Sequence, residues 1–186
     1  SYNRGGWISN TINSILNQSY GKVEIIVVDD GSTDNTEEVI KTLSNSKIKY
    51  FKIKNSERGA ARNYGLTKST GEYVVYIDPD DLMYSHCLSL AAKYISEKNK
   101  PEIFYLAHEV RDIHNNLIET TLEVRNINKK LIKGNPLECI NVVIRNDIAK
   151  SNPFNENLLM AGFEDWELWL RMASQYPIHQ IKTVSG

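Results

Sequence analysis

Val23-Glu24-Ile25-Ile26-Val27-Val28-Asp29-Asp30-Gly31 is the stretch that decides the fold. The run from Val23 to Val28 is short, apolar and rich in β-branched residues, which favours a buried strand of a parallel sheet over a helix. It halts on two carboxylates and a glycine. Asp34 and Glu37 follow at capping-box spacing, and Val39, Ile40 and Leu43 supply the apolar side of a helix. Strand, turn and helix in that order make one crossover unit of an α/β sheet.

The same alternation extends both ways. Upstream, Ile8, Ile12, Ile15 and Leu16 recur at helical spacing and predict an amphipathic helix ending near Ser19-Tyr20-Gly21. Downstream, a strand is predicted over Ile48 to Ile53, a helix over Ala60 to Leu66 and a strand over Tyr73 to Ile77. A helix carrying Leu88, Ala91, Ala92 and Ile95 completes an open α/β pattern. From Pro101 the rhythm changes. Strands are predicted around Ile103 to Ala107 and Cys139 to Ile144, with a weakly patterned polar stretch from Arg125 to Lys133. Trp166, Trp169, Leu170 and Ala173 form a stripe at i, i+3, i+4 and i+7 on a final helix, where core packing accounts for both tryptophans. No repeat, low-complexity tract or linker divides the chain, so residues 1–186 read as one domain.

A length of 186 residues sustains a proper core. Twenty-two basic against 23 acidic residues leave a net charge of -1, which argues against nucleic acid as a partner. Cys87 and Cys139 lie outside any Cys-x-x-Cys spacing and read as reduced, buried residues of a cytosolic protein. No apolar run is long enough for a membrane span or signal peptide. A start at Ser1-Tyr2-Asn3 with no preceding strand suggests a segment of a longer polypeptide, which leaves membrane association to segments outside it.

In an open α/β sheet, ligands bind beyond the carboxyl ends of the strands. Asp29-Asp30 ends one predicted strand and Asp78-Pro79-Asp80-Asp81 ends another. Side chains alternate along an extended segment, so Asp78 and Asp80 face one side while Pro79 stiffens the turn between them. Carboxylates this close repel unless a cation lies between them, and Mg²⁺ or Mn²⁺ carrying a diphosphate fits that demand. Against this stands the reading of acidic turn residues as helix starters, which is preferred for Asp34 and open for Asp81. A calcium loop is discarded, because neither cluster follows Asp-x-Asp-x-Asp-Gly with a closing Glu. Arg62 and Asn63 follow the small residues Gly59-Ala60-Ala61; the guanidinium either meets a phosphate or is an ordinary surface arginine. Glu164-Asp165 opens the final helix, where the helix dipole favours an ionised carboxylate that serves as a base or simply stabilises the helix.

Four motifs together resemble the family-2 glycosyltransferases of the GT-A fold. They are Val27-Val28-Asp29-Asp30-Gly31-Ser32-Thr33-Asp34, Gly59-Ala60-Ala61-Arg62-Asn63-Tyr64-Gly65, Ile77-Asp78-Pro79-Asp80-Asp81 and Gly162-Phe163-Glu164-Asp165-Trp166-Glu167-Leu168-Trp169-Leu170-Arg171. Their order and spacing match across almost the whole chain. The resemblance implies a Rossmann-like, mixed but mostly parallel sheet flanked by helices, with the family's central first strand missing from this segment. Residues 1–100 would be the nucleotide-binding half and residues 101–186 the acceptor-binding and catalytic half.

The implied activity is transfer of a sugar, with inversion, from a nucleotide-diphosphate donor such as a UDP-sugar to an acceptor hydroxyl. Tyr2 and Asn3 would lie against the base, Asp29 and Asp30 would hold the uridine, and Arg62 would position the nucleotide. Asp78-Pro79-Asp80 would handle ribose and Mn²⁺ or Mg²⁺, with Asp80 on the metal and Asp78 on ribose or metal. Asp165 matches the general base, and Glu164 and Trp166 would flank a glycan or lipid-linked acceptor. Bacterial surface polysaccharide synthesis, in the cytoplasm or at the inner face of the plasma membrane, is the pathway implied by analogy. Two rivals remain. A phospho-receiver domain shares the acidic strand ends and a Lys-Pro pair, Lys100-Pro101, but leaves Arg62, Asp80 and Glu164-Asp165 without a role; a nucleotide-binding relic would lack turnover.

Overall fold

The computed structural model describes residues 1–112, 114–121 and 126–184. The first half alternates as expected: α1 (Ile8–Leu16), β1 (Ile25–Asp29), α2 (Thr36–Thr42), β2 (Ile48–Lys52), α3 (Glu57–Lys68), β3 (Tyr73–Val75) and α4 (Cys87–Glu97). The second half contains β4 (Ile103–Arg111), β5 (Leu117–Thr121), α5 (Ile127–Leu131), β6 (Val142–Arg145), α6 (Asn146–Ser151), α7 (Glu164–Ala173) and β7 (His179–Val184).

β1 is nearly continuous apolar sequence because it is covered on both faces. On one side Ile25 and Val27 pack with Ile8, Ile12 and Ile40 from α1 and α2. On the other lies α3, whose Gly65 makes the close approach possible: a Cβ there would stand 3.2 Å from a Val28 methyl. β1 and β2 run parallel, from Ile25 opposite Ile48 to Asp29 opposite Lys52.

The second sheet is mixed. β6 runs antiparallel to both β3 and β4, β5 antiparallel to β4, and β7 parallel to β4. Among the described residues parallel pairing is thus confined to β1 with β2 and β4 with β7. β4 is buried from Ile103 to His108, and the largest core forms around Trp169, Tyr105, Leu131, Leu137 and Ile144.

No ladder among the described residues joins the two sheets. Between them lies a cavity of about 470 Å³ lined largely by apolar side chains, among them Ile12, Val27, Leu66, Val75 and Ala91. Ser1 closes its upper end. The Ser1 amino group donates to the Val28 carbonyl at 2.7 Å, and the Asp30 amide donates to the Ser1 carbonyl at 2.7 Å. Those are the two bonds of a parallel bridge, so Ser1 stands where a strand alongside β1 would end.

Several expectations are corrected. The strand expected from Val23 begins at Ile25, and the one expected through Ile77 ends at Val75, where the chain turns toward Asp78. The strand expected from Cys139 opens instead with a 3₁₀ turn over Cys139–Asn141 before β6. The polar stretch Arg125 to Lys133 contains α5, which inserts Ile127 and Leu131 into the core; Arg125 itself lies outside the described residues. On α7 the stripe holds at Trp166, Trp169 and Ala173, which pack into or against the core, but Leu170 turns outward and Leu168 and Met172 are buried in its stead. Glu37 does not close a capping box with Asp34: its carboxylate accepts from Lys41 and Lys52, and Asp34 instead accepts from the amide of Thr36 and the amide of Gly5. Asp81 caps no helix, since α4 begins at Cys87. Cys87 and Cys139 are both free and buried.

Candidate active site

The two acidic strand ends converge around the first residue. Asp29 and Asp30 end β1 beside Ser1, and Asp78 follows the end of β3. Each carboxylate there has a different environment.

Asp29 is 0% exposed. Its Oδ1 accepts the Ser32 amide at 2.8 Å and its Oδ2 the Tyr50 hydroxyl at 2.6 Å. Burial works against its charge, but those bonds outweigh it and hold the carboxyl below its ordinary value. Through these two bonds Asp29 supports the turn after β1. Asp30 fixes the start of α3, its Oδ1 accepting from the Ser56 amide at 2.8 Å. Asn3, at φ 50°, accepts the Thr33 and Asp34 amides on its Oδ1 and so ties the entering chain to the loop after β1. Tyr2 is 46% exposed at the same rim.

Arg62 connects the halves. From the interior of α3 its Nη2 donates to Asp78 Oδ1 and its Nη1 to Glu164 Oε1, both at 2.9 Å, over the face of the Phe154 ring. Burial opposes the charge, yet the surrounding acidic groups, Asp78 and Glu164 among them, raise its pKa further. Asn63 steadies this arrangement, donating to the Phe154 carbonyl and accepting its amide, each at 2.9 Å. Arg62 is therefore an inward ion-pair partner and not a surface arginine.

Glu164 is buried, with Oε1 on Arg62 and Oε2 on the Gly162 amide at 2.7 Å. Its carboxylate turns toward the Arg62 guanidinium. Asp165, its neighbour, points the other way and is half-buried. The Trp166 amide donates to its Oδ1 at 2.7 Å and the Asn135 side chain to its Oδ2 at 3.0 Å. Burial, aided by Glu164, raises its carboxyl above the ordinary range. Trp166 is partly buried, its indole N–H on the Leu131 carbonyl at 2.7 Å and its ring beside the exposed Phe163.

The remaining acids form a cluster. The Asp78 carbonyl accepts the Asp81 amide in a tight turn, and the Pro79 carbonyl takes the Thr11 hydroxyl. Asp80 is exposed. Burial, with Asp78, Asp80 and Glu138 nearby, pushes Asp81 up to about 7, and Glu138 is itself raised by burial, Asp165 and Asp78. Among the described residues no three His, Cys, Asp or Glu side chains gather closely enough to enclose a metal ion.

Asn135 and Glu138 are the residues that sequence reasoning missed. Asn135 and Glu138 precede β6, and because β6 is antiparallel to β3 its beginning lies beside the end of β3 that carries Asp78. The alternation of the strands was visible; their relative direction was not.

The family model for Glycosyl transferase family 2 matches residues 1–150. An Escherichia coli relative, UDP-Glc:alpha-D-GlcNAc-diphosphoundecaprenol beta-1,3-glucosyltransferase WfgD, is 30% identical over 183 residues, covering 97% of this chain and 70% of its own. An uncharacterized glycosyltransferase of Rickettsia bellii is 34% identical over 179 residues, 94% of this chain; the chain spans 25% of that relative's length. Among solved structures, Staphylococcus aureus TarS 1-349 in complex with UDP superposes with a TM-score of 0.81 at 22% identity, over 100% of this chain and 57% of TarS 1-349. Mannosyltransferase PcManGT from Pyrobaculum calidifontis, in complex with GDP-Man and Mn²⁺, gives 0.75 at 20% identity, over 100% of this chain and 54% of its own. These likenesses establish the mixed α/β fold as the GT-A one. With the family model covering most of its length, the chain belongs to glycosyl transferase family 2.

Proposed function

We propose that the chain is the donor-binding and catalytic part of an inverting glycosyltransferase. It moves a sugar from a nucleotide diphosphate, most simply a UDP-sugar, to a hydroxyl of a glycan or lipid-linked acceptor. The observation that carries this reading is the Arg62 bridge between Asp78 and Glu164, which sets the donor-side acidic turn against the helix that bears Asp165. UDP with TarS 1-349 and the lipid-linked acceptor in the name of WfgD support the donor and acceptor classes. We place the reaction in bacterial surface polysaccharide synthesis, in the cytoplasm or at the inner face of the plasma membrane.

Asp165 acts as base: its carboxylate accepts the acceptor hydroxyl's proton as that oxygen attacks the anomeric carbon opposite the diphosphate, and the configuration inverts. Trp166 offers a flat apolar surface beside it for the acceptor. Asp30 and Asn3 shape the loop that receives the nucleoside, with Tyr2 beside the base, and Arg62 fixes the position of Asp78. Asp80, with Asp78, would hold Mn²⁺ or Mg²⁺, supported by the carboxylate surplus and by the Mn²⁺ complex of PcManGT. When bound, the cation neutralises charge on the departing diphosphate.

The test is nucleoside-diphosphate release from UDP-glucose, UDP-N-acetylglucosamine and GDP-mannose, with short-chain lipid-diphosphate sugars as acceptors, for the parent and Asp165→Asn. Acceptor-dependent release that falls at least a hundredfold in Asp165→Asn, with UDP binding intact, is expected. Equal release by both proteins would remove Asp165 from the reaction.

A further inference from the structure

We infer that Asn135 is the positioning residue for Asp165, its side-chain amide holding the carboxylate ionised and oriented for proton abstraction. This rests on Asp165 being the base of the reaction proposed above. The amide has only one sensible orientation. Its Oδ1 accepts the Leu137 amide at 3.2 Å, and Leu137 is 0% exposed, so the carbonyl end is pinned to the core. The NH₂ end must then face Asp165, where Nδ2 donates to Oδ2 at 3.0 Å. A flipped amide would set oxygen against carboxylate and leave the Leu137 N–H without its acceptor.

The surroundings explain why such a donor is needed. Asp165 is half-buried, with Glu164 beside it on α7 and Glu138 facing it from the run before β6; Cys139, also on that run, is a neutral, buried thiol. Among the described residues the cation facing it is Arg62 of α3, and that guanidinium is already divided between Asp78 and Glu164. Two donors remain for the Asp165 carboxylate: the Trp166 amide on Oδ1, supplied by its own helix, and Asn135 on Oδ2. Hydrogen bonds to a charged acceptor favour the charged form, so Asn135 offsets part of the effect of burial and of the neighbouring acids. Because it bonds Oδ2 while the backbone bonds Oδ1, it also fixes the plane of the carboxylate, leaving further lone pairs on both oxygens to accept a proton.

A purely structural account exists, because the Oδ1 bond to the Leu137 amide is an Asx turn that any good turn residue would supply. Asn135→Ser separates the two: a serine hydroxyl can accept the Leu137 amide, but it is too short to reach Asp165. Asn135→Ala loses both bonds. The measurement is the titration midpoint of the Asp165 carboxyl by ¹³C NMR, assigned by difference with Asp165→Asn, together with thermal unfolding with and without UDP and Mn²⁺. The inference predicts a midpoint higher by on the order of one pH unit in both Asn135 variants. The UDP-dependent thermal shift should be unchanged, and the larger loss of thermal stability should fall on Asn135→Ala. A midpoint in Asn135→Ser equal to that of the parent would overturn it. A parent that shows no UDP-dependent shift would instead overturn the donor-site reading on which the proposed reaction rests, while the midpoints would still report whether Asn135 tunes the carboxyl.

Discussion

Arg62 Nη1 and Glu164 Oε1 are 2.9 Å apart although 102 positions separate them in the chain, and both side chains are nearly closed to solvent, at 12% and 5% exposure. This contact does more than link two helices. Glu164 and Asp165 are adjacent on α7, and their side chains part: one is drawn to Arg62 and the other to Asn135. The ion pair thereby gives two neighbouring acids different surroundings.

Breaking that pair should be costly. Arg62→Leu leaves Glu164 buried with only the Gly162 amide, an uncompensated charge that destabilises by roughly 3 kcal/mol or more. Arg62→Leu with Glu164→Leu should recover a large part of that loss. Urea denaturation of the two single variants and the double variant measures the coupling, and additive losses would remove the pair as a unit.

Acid should unfold the protein partly through Asp29. Its folded carboxyl lies below the unfolded value, so it contributes stability above the unfolded pKa, and that contribution is lost as pH falls through the lower, folded value. Tyr50→Phe removes the 2.6 Å hydroxyl bond to Oδ2. The expected result is a loss of about 1.5–3 kcal/mol at pH 7 and an acid-unfolding midpoint at higher pH, read by circular dichroism from pH 2 to 7. A midpoint unchanged from the parent would show that Asp29 does not depend on this bond.

The cavity between the sheets has the character of a strand position. It is lined by apolar side chains of β1, β3, α1 and α4, and Ser1 already makes both bonds of a parallel bridge with β1. An added segment of about five β-branched residues ahead of Ser1 should pair with β1 and replace the buried amine with a peptide group. The melting temperature should rise by at least about 5 °C, whereas a Gly-Ser segment of equal length should leave it unchanged. Equal effects of the two segments would mean that the slot does not take up a strand.

Much of the molecule was legible because local rules govern it. The continuous apolar run of β1, the alternation of the first half and the acidic strand ends follow from sequence period and turn chemistry. What escaped depends on partners far along the chain. β5 carries the exposed Leu117 and Ile118 and is defined by pairing with β4, so no buried face marks it in sequence. Glu164 looks like any first-turn acid until Arg62 is placed opposite it. Asn135 and Glu138 became site residues only when β6 proved antiparallel to β3, which brings the start of one strand beside the end of the other.

The central claim is that the converged strand ends form a metal-assisted nucleotide-diphosphate site. Its most direct test is thermal unfolding with UDP, GDP and inorganic phosphate, each with and without Mn²⁺, on the chain and on Asp80→Asn, since selective binding to the folded state raises the midpoint by mass action. A UDP-selective, Mn²⁺-dependent rise that Asp80→Asn abolishes is expected. No rise with any nucleotide, or one that persists undiminished in Asp80→Asn, would contradict it.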